Sequence, residues 1–232
     1  MNEKLEQVKA RIKKLMAIAN DPNSSENEVF QATKMSQKLM VKFHIEMKDV
    51  VDLSDEKINT FIIGTYPSHM AFLFQTLAEN FRLDSFFTQT YRSCVLKVCG
   101  LSSDIEIGLP VIKKILDYAL KESEKFAKIY KSLSPEEIYE RYLEIKKDVR
   151  IVKRSFMDGF RKRIKEKFDE NLIEMRSEYG STSLMVIGIP EVVENYVAKN
   201  LRIKKVNKVF DDESFWGYQR GKQSADQYGD VR

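Results

Sequence analysis

Apolar residues recur at three- and four-residue steps in two stretches near the N-terminus. The first carries Leu5, Val8, Ile12, Leu15 and Ala19; the second carries Val29, Ala32, Ser36, Leu39, Met40 and Phe43. This period marks one face of an amphipathic helix. Between the stripes, Pro22 stops the first helix near Asn20. Ser25 and Glu28 then stand at the spacing of a capping box, in which each side chain satisfies a backbone N–H near the start of the second helix. Residues 3–45 are expected to form an antiparallel helical hairpin.

After a linker around Asp49–Glu56 the period changes. The β-branched run "KINTFIIGT", closed by Gly64, predicts a strand, and "HMAFLFQTLAENF" predicts a helix. "RLDSFFTQTY" and "SCVLKVCG" follow as a two-stranded hairpin turning near Tyr91–Ser93. Ser103 and Glu106 repeat the capping-box spacing and are expected to open a long helix to about Lys131, with Pro110 kinking it or delaying its start.

Ser134-Pro135-Glu136-Glu137 is a second strong helix start: a hydroxyl cap, proline in the first helical position and an acid three residues after the cap. That helix is expected to reach Tyr179, with a break near Asp148–Ile151, and to end at Gly180. Thr182–Ile189 fits either a short strand or a buried loop. Pro190 begins another helix, and "DESFWGYQRGKQSADQ" predicts a last one. The fold class is α+β and predominantly helical, with a helical hairpin over 1–48 and an α+β domain over 57–232. In that domain long helices span roughly 104–131 and 135–179, a C-terminal helix spans roughly 212–227, and a small antiparallel sheet is packed by the helices.

Composition narrows the class. The 232 residues are 43% hydrophobic and 32% charged, which suits a soluble protein with a heavily charged surface. A net charge of +4 is mild, so a nucleic-acid partner has to be argued from local clusters. The two cysteines, Cys94 and Cys99, lie in one strand, facing opposite sides at roughly 16 Å, too far apart for a disulfide. A reducing, cytoplasmic setting is expected. "MNEKLEQVKARIKK" lacks the apolar core of a signal peptide, and no apolar run could span a membrane.

Several segments offer chemistry. Asp21, Asn23 and Ser25 imitate the first three ligand positions of a calcium loop, but Glu26 stands where glycine is needed and Ala32 where a bidentate glutamate is needed. His44 and His69 are the only histidines and neither has an i+4 partner, so no zinc site is expected. No base lies near Cys94 or Cys99 in sequence, so both read as small apolar filler. In "CGLSSDIEIG" a strand runs into a helix start that could hold phosphate, but Asp104 and Glu106 would repel it.

Two basic segments are the clearest electrostatic features. In Lys146–Lys167, Arg150, Lys153, Arg154, Arg161, Arg163 and Lys167 can cluster on a helix whose apolar stripe is Phe156, Phe160, Ile164 and Phe168. Lys199–Lys208 adds Arg202, Lys204 and Lys205. Such faces can neutralise phosphates, or can simply be solvated helix faces whose acids lie elsewhere in the fold. On the last helix Gly217, Gly221 and Ala225 fall at four-residue steps, a spacing that suggests close helix packing. Trp216, Tyr218 and Arg220 flank that stripe and are the candidate partner-binding residues.

The segment "RIKKLMAIANDPNSSENEVFQATKMSQKLMVKFHIE" resembles the helical hairpin of a domain-of-unknown-function family found in bacteria, phages and mobile elements. The matching positions are Lys14, Leu15, Ala17, Ala19, Asp21, Pro22, Asn23, Glu28 and Ala32, then Leu39, Met40 and Ile45. His44 lies one place from the family's histidine. "CGLSSDIEIG", "SFMDGFRKRI" and "GYQRGKQSA" resemble, more loosely, parts of the α+β region that commonly follows. The resemblance implies a phage or mobile-element origin and no particular activity.

The expected function is a non-enzymatic accessory protein that binds DNA or RNA through the two basic segments. The alternative is a protein-binding module, an inhibitor or adaptor of a host protein, using the hairpin faces or the Trp216 region. No catalytic residue, metal site or cofactor is expected, and an enzyme ranks third.

Overall fold

The protein, seen in a computed structural model, is described at residues 2–43, 45, 57–179, 188–204 and 213–228. Its architecture is α+β and mostly helical, with a three-stranded antiparallel sheet. Helices α1 (Asn2–Asn20) and α2 (Glu26–Phe43) form the expected hairpin. At its turn the Ser25 N–H donates to Glu28 Oε2 at 2.8 Å and the Glu28 N–H to Ser25 Oγ at 3.3 Å. The first of these bonds, with a further one from the Ser25 hydroxyl to Glu28 Oε2 at 2.8 Å, holds the Glu28 carboxyl below its ordinary pKa. Asp21 Oδ1 accepts from the Asn23 N–H at 2.8 Å, so the oxygen-rich loop uses its oxygens on its own backbone.

The hairpin is tied to the rest of the chain. Ile12, Met16, Met40, Val41 and Ile45 are buried with Ile107 and Met175, while Ala19, Val29 and Ala32 join the main core. Lys34 and Lys38 both reach Glu174, at 3.5 and 2.5 Å.

The sheet order is β1 (Ile58–Pro67), β3 (Ser93–Leu101), β2 (Asp84–Gln89). On the central strand β3, Cys94, Leu96 and Val98 point into the main core, while Cys99 and Leu101 face the other side. There Val193 and Val197 of α7 (Glu191–Asn200) cover them. Both cysteines are buried free thiols. Gly64 does not close β1; it sits at a bulge with φ 156°, where the register shifts between Ile62 and Gly64. A 3₁₀ turn at Ser68–Met70 leads into α3 (Ala71–Asn80).

Helix α4 (Ser102–Ser132) follows β3 directly. Here the expected second capping box is corrected. The N-cap is Leu101, without a side-chain cap bond, and Ser103 is buried inside the first turn. Asp104, equally buried, instead takes an ion pair from Arg82 at 3.5 Å, close to the positive end of the helix. Pro110 lies inside the helix and delays nothing.

The stretch 135–179 is interrupted near Asp148, where a break was expected, but the interruption opens earlier, at Leu143. Helix α5 (Pro135–Tyr142) ends early, and α6 (Val149–Tyr179) begins after a six-residue connection, 143–148. The α5 start matches expectation: Ser134 Oγ accepts from the Glu137 N–H at 3.1 Å, and Glu137 Oε2 accepts from the Ser134 N–H at 2.7 Å. Leu143 stops the helix by adopting a left-handed φ of 53°. Asp148 restarts it by accepting from the Arg150 N–H at 2.7 Å.

Helix α8 (Phe215–Gln227) lies against α6 at backbone contact distance. A Cβ on Gly159 would come within 1.9 Å of the Tyr218 carbonyl oxygen, and one on Gly221 within 1.9 Å of the Phe156 carbonyl oxygen. The glycine stripe is therefore a helix-packing device. Gly217 meets Val152, Gly221 meets Phe156 and Lys167 meets Tyr228, so the two helices run in the same direction. Gly180, Lys205, His44 and positions 182–187 of the expected strand or loop lie outside the described residues.

Candidate binding groove around Trp216

Ser214 caps α8: its Oγ accepts from the Gly217 N–H at 3.0 Å, and its own N–H donates to Ser155 Oγ at 2.9 Å. This fixes the start of the helix on α6 and places Trp216 against an aromatic cluster. Tyr142 stacks on the indole with ring centroids 3.7 Å apart and 15° between planes. Phe126 meets it edge-on at 4.9 Å and Tyr130 lies at 5.4 Å. Trp216 is therefore a half-buried floor, held in one orientation from three sides.

The connection 143–148 contributes Leu143 to the groove and is pinned along its length. Glu144 Oε2 accepts the Trp216 N–H at 2.9 Å, Tyr130 Oη accepts the Lys147 N–H at 2.7 Å, and Lys146 Nζ donates to the Leu133 carbonyl at 2.5 Å. Leu143 thus projects from a fixed backbone and is 82% exposed. Phe215, at the first position of α8, is 67% exposed, and Ile129 of α4 is 54% exposed. These three, with Tyr142 and Trp216, line a groove with a cavity volume of about 580 Å³ between α4, α5 and α8. Large apolar side chains gathered in the open are uncommon on a soluble surface and mark contact sites.

The three flanking residues expected to act together are divided by the helix. Trp216 and Arg220, one turn apart, both line the groove. Tyr218 faces elsewhere, with Lys162 Nζ 5.9 Å from its ring centroid and its carbonyl against Gly159. Leu143, Phe215, Ile129, Arg141 and Tyr142 were not expected in the site. They come from three helices and a connection whose helix stop carries neither glycine nor asparagine, so no local sequence signal joins them.

The cations of α6 are largely engaged within the fold. Arg163 bonds Asp226 at 2.5 Å, Glu170 at 2.8 Å and Glu166 at 3.3 Å, which raises its pKa further. Lys153 bonds both oxygens of Glu124 at 2.6 and 2.7 Å. Arg161 lies 3.6 Å from Asp158, Arg150 pairs with Asp148 at 3.0 Å, and Arg154 also has a partner. Lys167 is buried and donates to the carbonyls of Asp226 and Tyr228 at 3.0 and 2.9 Å, closing the C-terminal end of α8. Arg202 and Lys204 are exposed in a stretch without regular structure. The apolar stripe Phe156, Phe160, Ile164 and Phe168 faces the core as expected.

Among the described residues, no group of three or more histidines, cysteines or acids could hold a metal ion, and no helix is long and apolar enough to cross a membrane. Residues 7–47, covering most of the hairpin, match a family model described as a protein of unknown function (DUF2786). No curated protein and no solved structure matches the chain.

Proposed function

We propose that this protein is a non-enzymatic, partner-binding accessory protein whose working surface is the groove around Trp216. One observation carries the reading: Leu143 is 82% exposed and held at φ 53° beside the exposed Phe215 and Ile129. A leucine in the left-handed region costs about 1 kcal/mol. Exposing its side chain adds a second penalty, so the free protein gains nothing from a leucine there. A partner that covers it does.

The basic segments remain a second route, to DNA or RNA. Arg202 and Lys204, exposed outside any helix, favour it, whereas phosphate binding by α6 would have to displace pairs such as Arg163 with Asp226 and Glu170. A phage or mobile-element origin, implied by the hairpin's resemblance, and a cytoplasmic setting, supported by two buried free thiols, complete the proposal.

A pulldown with the full chain, run with and without nuclease and at low and high salt, separates the two routes. The groove reading expects a specific protein that survives both treatments. Recovery of nucleic acid alone, lost at high salt, would replace it with the nucleic-acid reading.

A further inference from the structure

We infer that the groove accepts an acidic amphipathic helix of a partner protein, its apolar stripe seated on Trp216 and Leu143 and its flanking carboxylates paired with Arg141 and Arg220. The inference rests on the partner-binding reading and adds the chemistry of the occupant. Among the described residues, Arg141 and Arg220 are the only charged side chains lining the groove. Neither is ion-paired to a described acid; Arg220 Nη1 contacts only the neutral Gln223 Oε1, at 3.3 Å. Arg163, by contrast, is met by three carboxylates. Two unsaturated guanidiniums beside one apolar strip form a carboxylate-binding frame, because the planar fork of arginine matches a carboxylate with two parallel bonds.

The walls determine the shape of the occupant. The groove is lined by α4, α5, α8 and the start of the 143–148 connection, and by no strand. An extended segment would bring a row of unpaired backbone groups onto apolar side chains and lose their hydrogen bonds to water. A helix satisfies its backbone internally and presents only side chains, so apolar residues at i, i+3 or i+4 and i+7 can fill the strip. Gln219 and Gln223, also lining the groove, serve polar side chains at the margin.

Trp216 is the only tryptophan in the chain, so its emission reports on the groove itself. The full-length protein is titrated with three synthetic helical peptides that share one Leu/Phe stripe and differ only in flanking residues: Glu, Gln or Lys. The Glu peptide is expected to shift the emission saturably at a concentration about tenfold below that needed for the Lys peptide, with the Gln peptide between. Raising the salt should narrow the gap. Arg141→Glu with Arg220→Glu should reverse the order. If that double reversal fails to fold, Arg141→Gln with Arg220→Gln must abolish the preference. Equal affinity for all three peptides would overturn the acidic occupant and leave the groove reading standing. Silence from every peptide would overturn the groove reading as well.

Discussion

Leu143 concentrates the tension between stability and binding in one residue. Its backbone holds φ 53°, a region that glycine enters freely and leucine does not. Leu143→Gly is therefore expected to leave the denaturant midpoint unchanged or raise stability by up to about 1 kcal/mol, while weakening partner capture. A clear loss of stability would mean that the exposed side chain supports the fold instead. Gly159 and Gly221 make the opposite case. A methyl group on either would sit 1.9 Å from a carbonyl oxygen of the facing helix, and backbone cannot yield as a side-chain tip can. Gly159→Ala or Gly221→Ala should cost more than about 3 kcal/mol or prevent folding, read from urea unfolding. Arg163 links α6 to α8 through Asp226 and braces its own helix through Glu166 and Glu170. Arg163→Ala is expected to cost about 1 kcal/mol, less at high salt, because the guanidinium is partly exposed.

Local chemistry decides where elements begin and end. Ser134→Ala removes the bond that Ser134 Oγ accepts from Glu137 and should cost about 1 kcal/mol in an unfolding titration. The α5 start was legible because Ser, Pro and Glu each act within one turn. The end was not: Leu143 adopts the left-handed conformation without being glycine or asparagine, so helix periodicity runs through it unchecked. Asp148, which restarts α6, was legible as a break. At α4 the capping pattern misled, because β3 delivers the chain straight into the helix and buries Ser103 before it can cap. The glycine stripe of α8 was read correctly as a packing signal, yet the faces of Trp216 and Tyr218 depended on where α6 lies. His69, on the turn before α3, has Nε2 buried without a hydrogen-bond partner. Burial pushes its pKa down to about 4, with help from Lys153. The unfolded chain binds that proton more readily, so the stability from neutral His69 is fully present above about pH 6.5 and falls as pH drops toward about 4, by up to about 1.4 kcal/mol per pH unit. In urea titrations across that window, the wild type should lose stability relative to His69→Asn at that slope; parallel curves would contradict the buried neutral imidazole.

At the scale of the whole molecule, charge and apolar surface are arranged in opposite ways. The acids needed to neutralise α6 come from α4, from α8 and from α6 itself, so the most basic stretch of the sequence becomes an internal brace. That pairing could not be read along the chain, since Asp226 lies 63 residues from Arg163. The groove is assembled the same way, from side chains as far apart as Phe126 and Gln223, and it lies outside the hairpin that the family model covers. On this basis the groove, and not the α6 cations, engages the partner. It is tested most directly by capturing partners from nuclease-treated extract with three forms of the full chain: wild type, Leu143→Asp with Phe215→Asp, and Arg154→Ala with Arg161→Ala and Arg163→Ala, each first shown to be folded by circular dichroism. The partner held by the wild type is expected to be lost with the groove variant and retained by the arginine variant. Retention by the groove variant with loss from the arginine variant would contradict it.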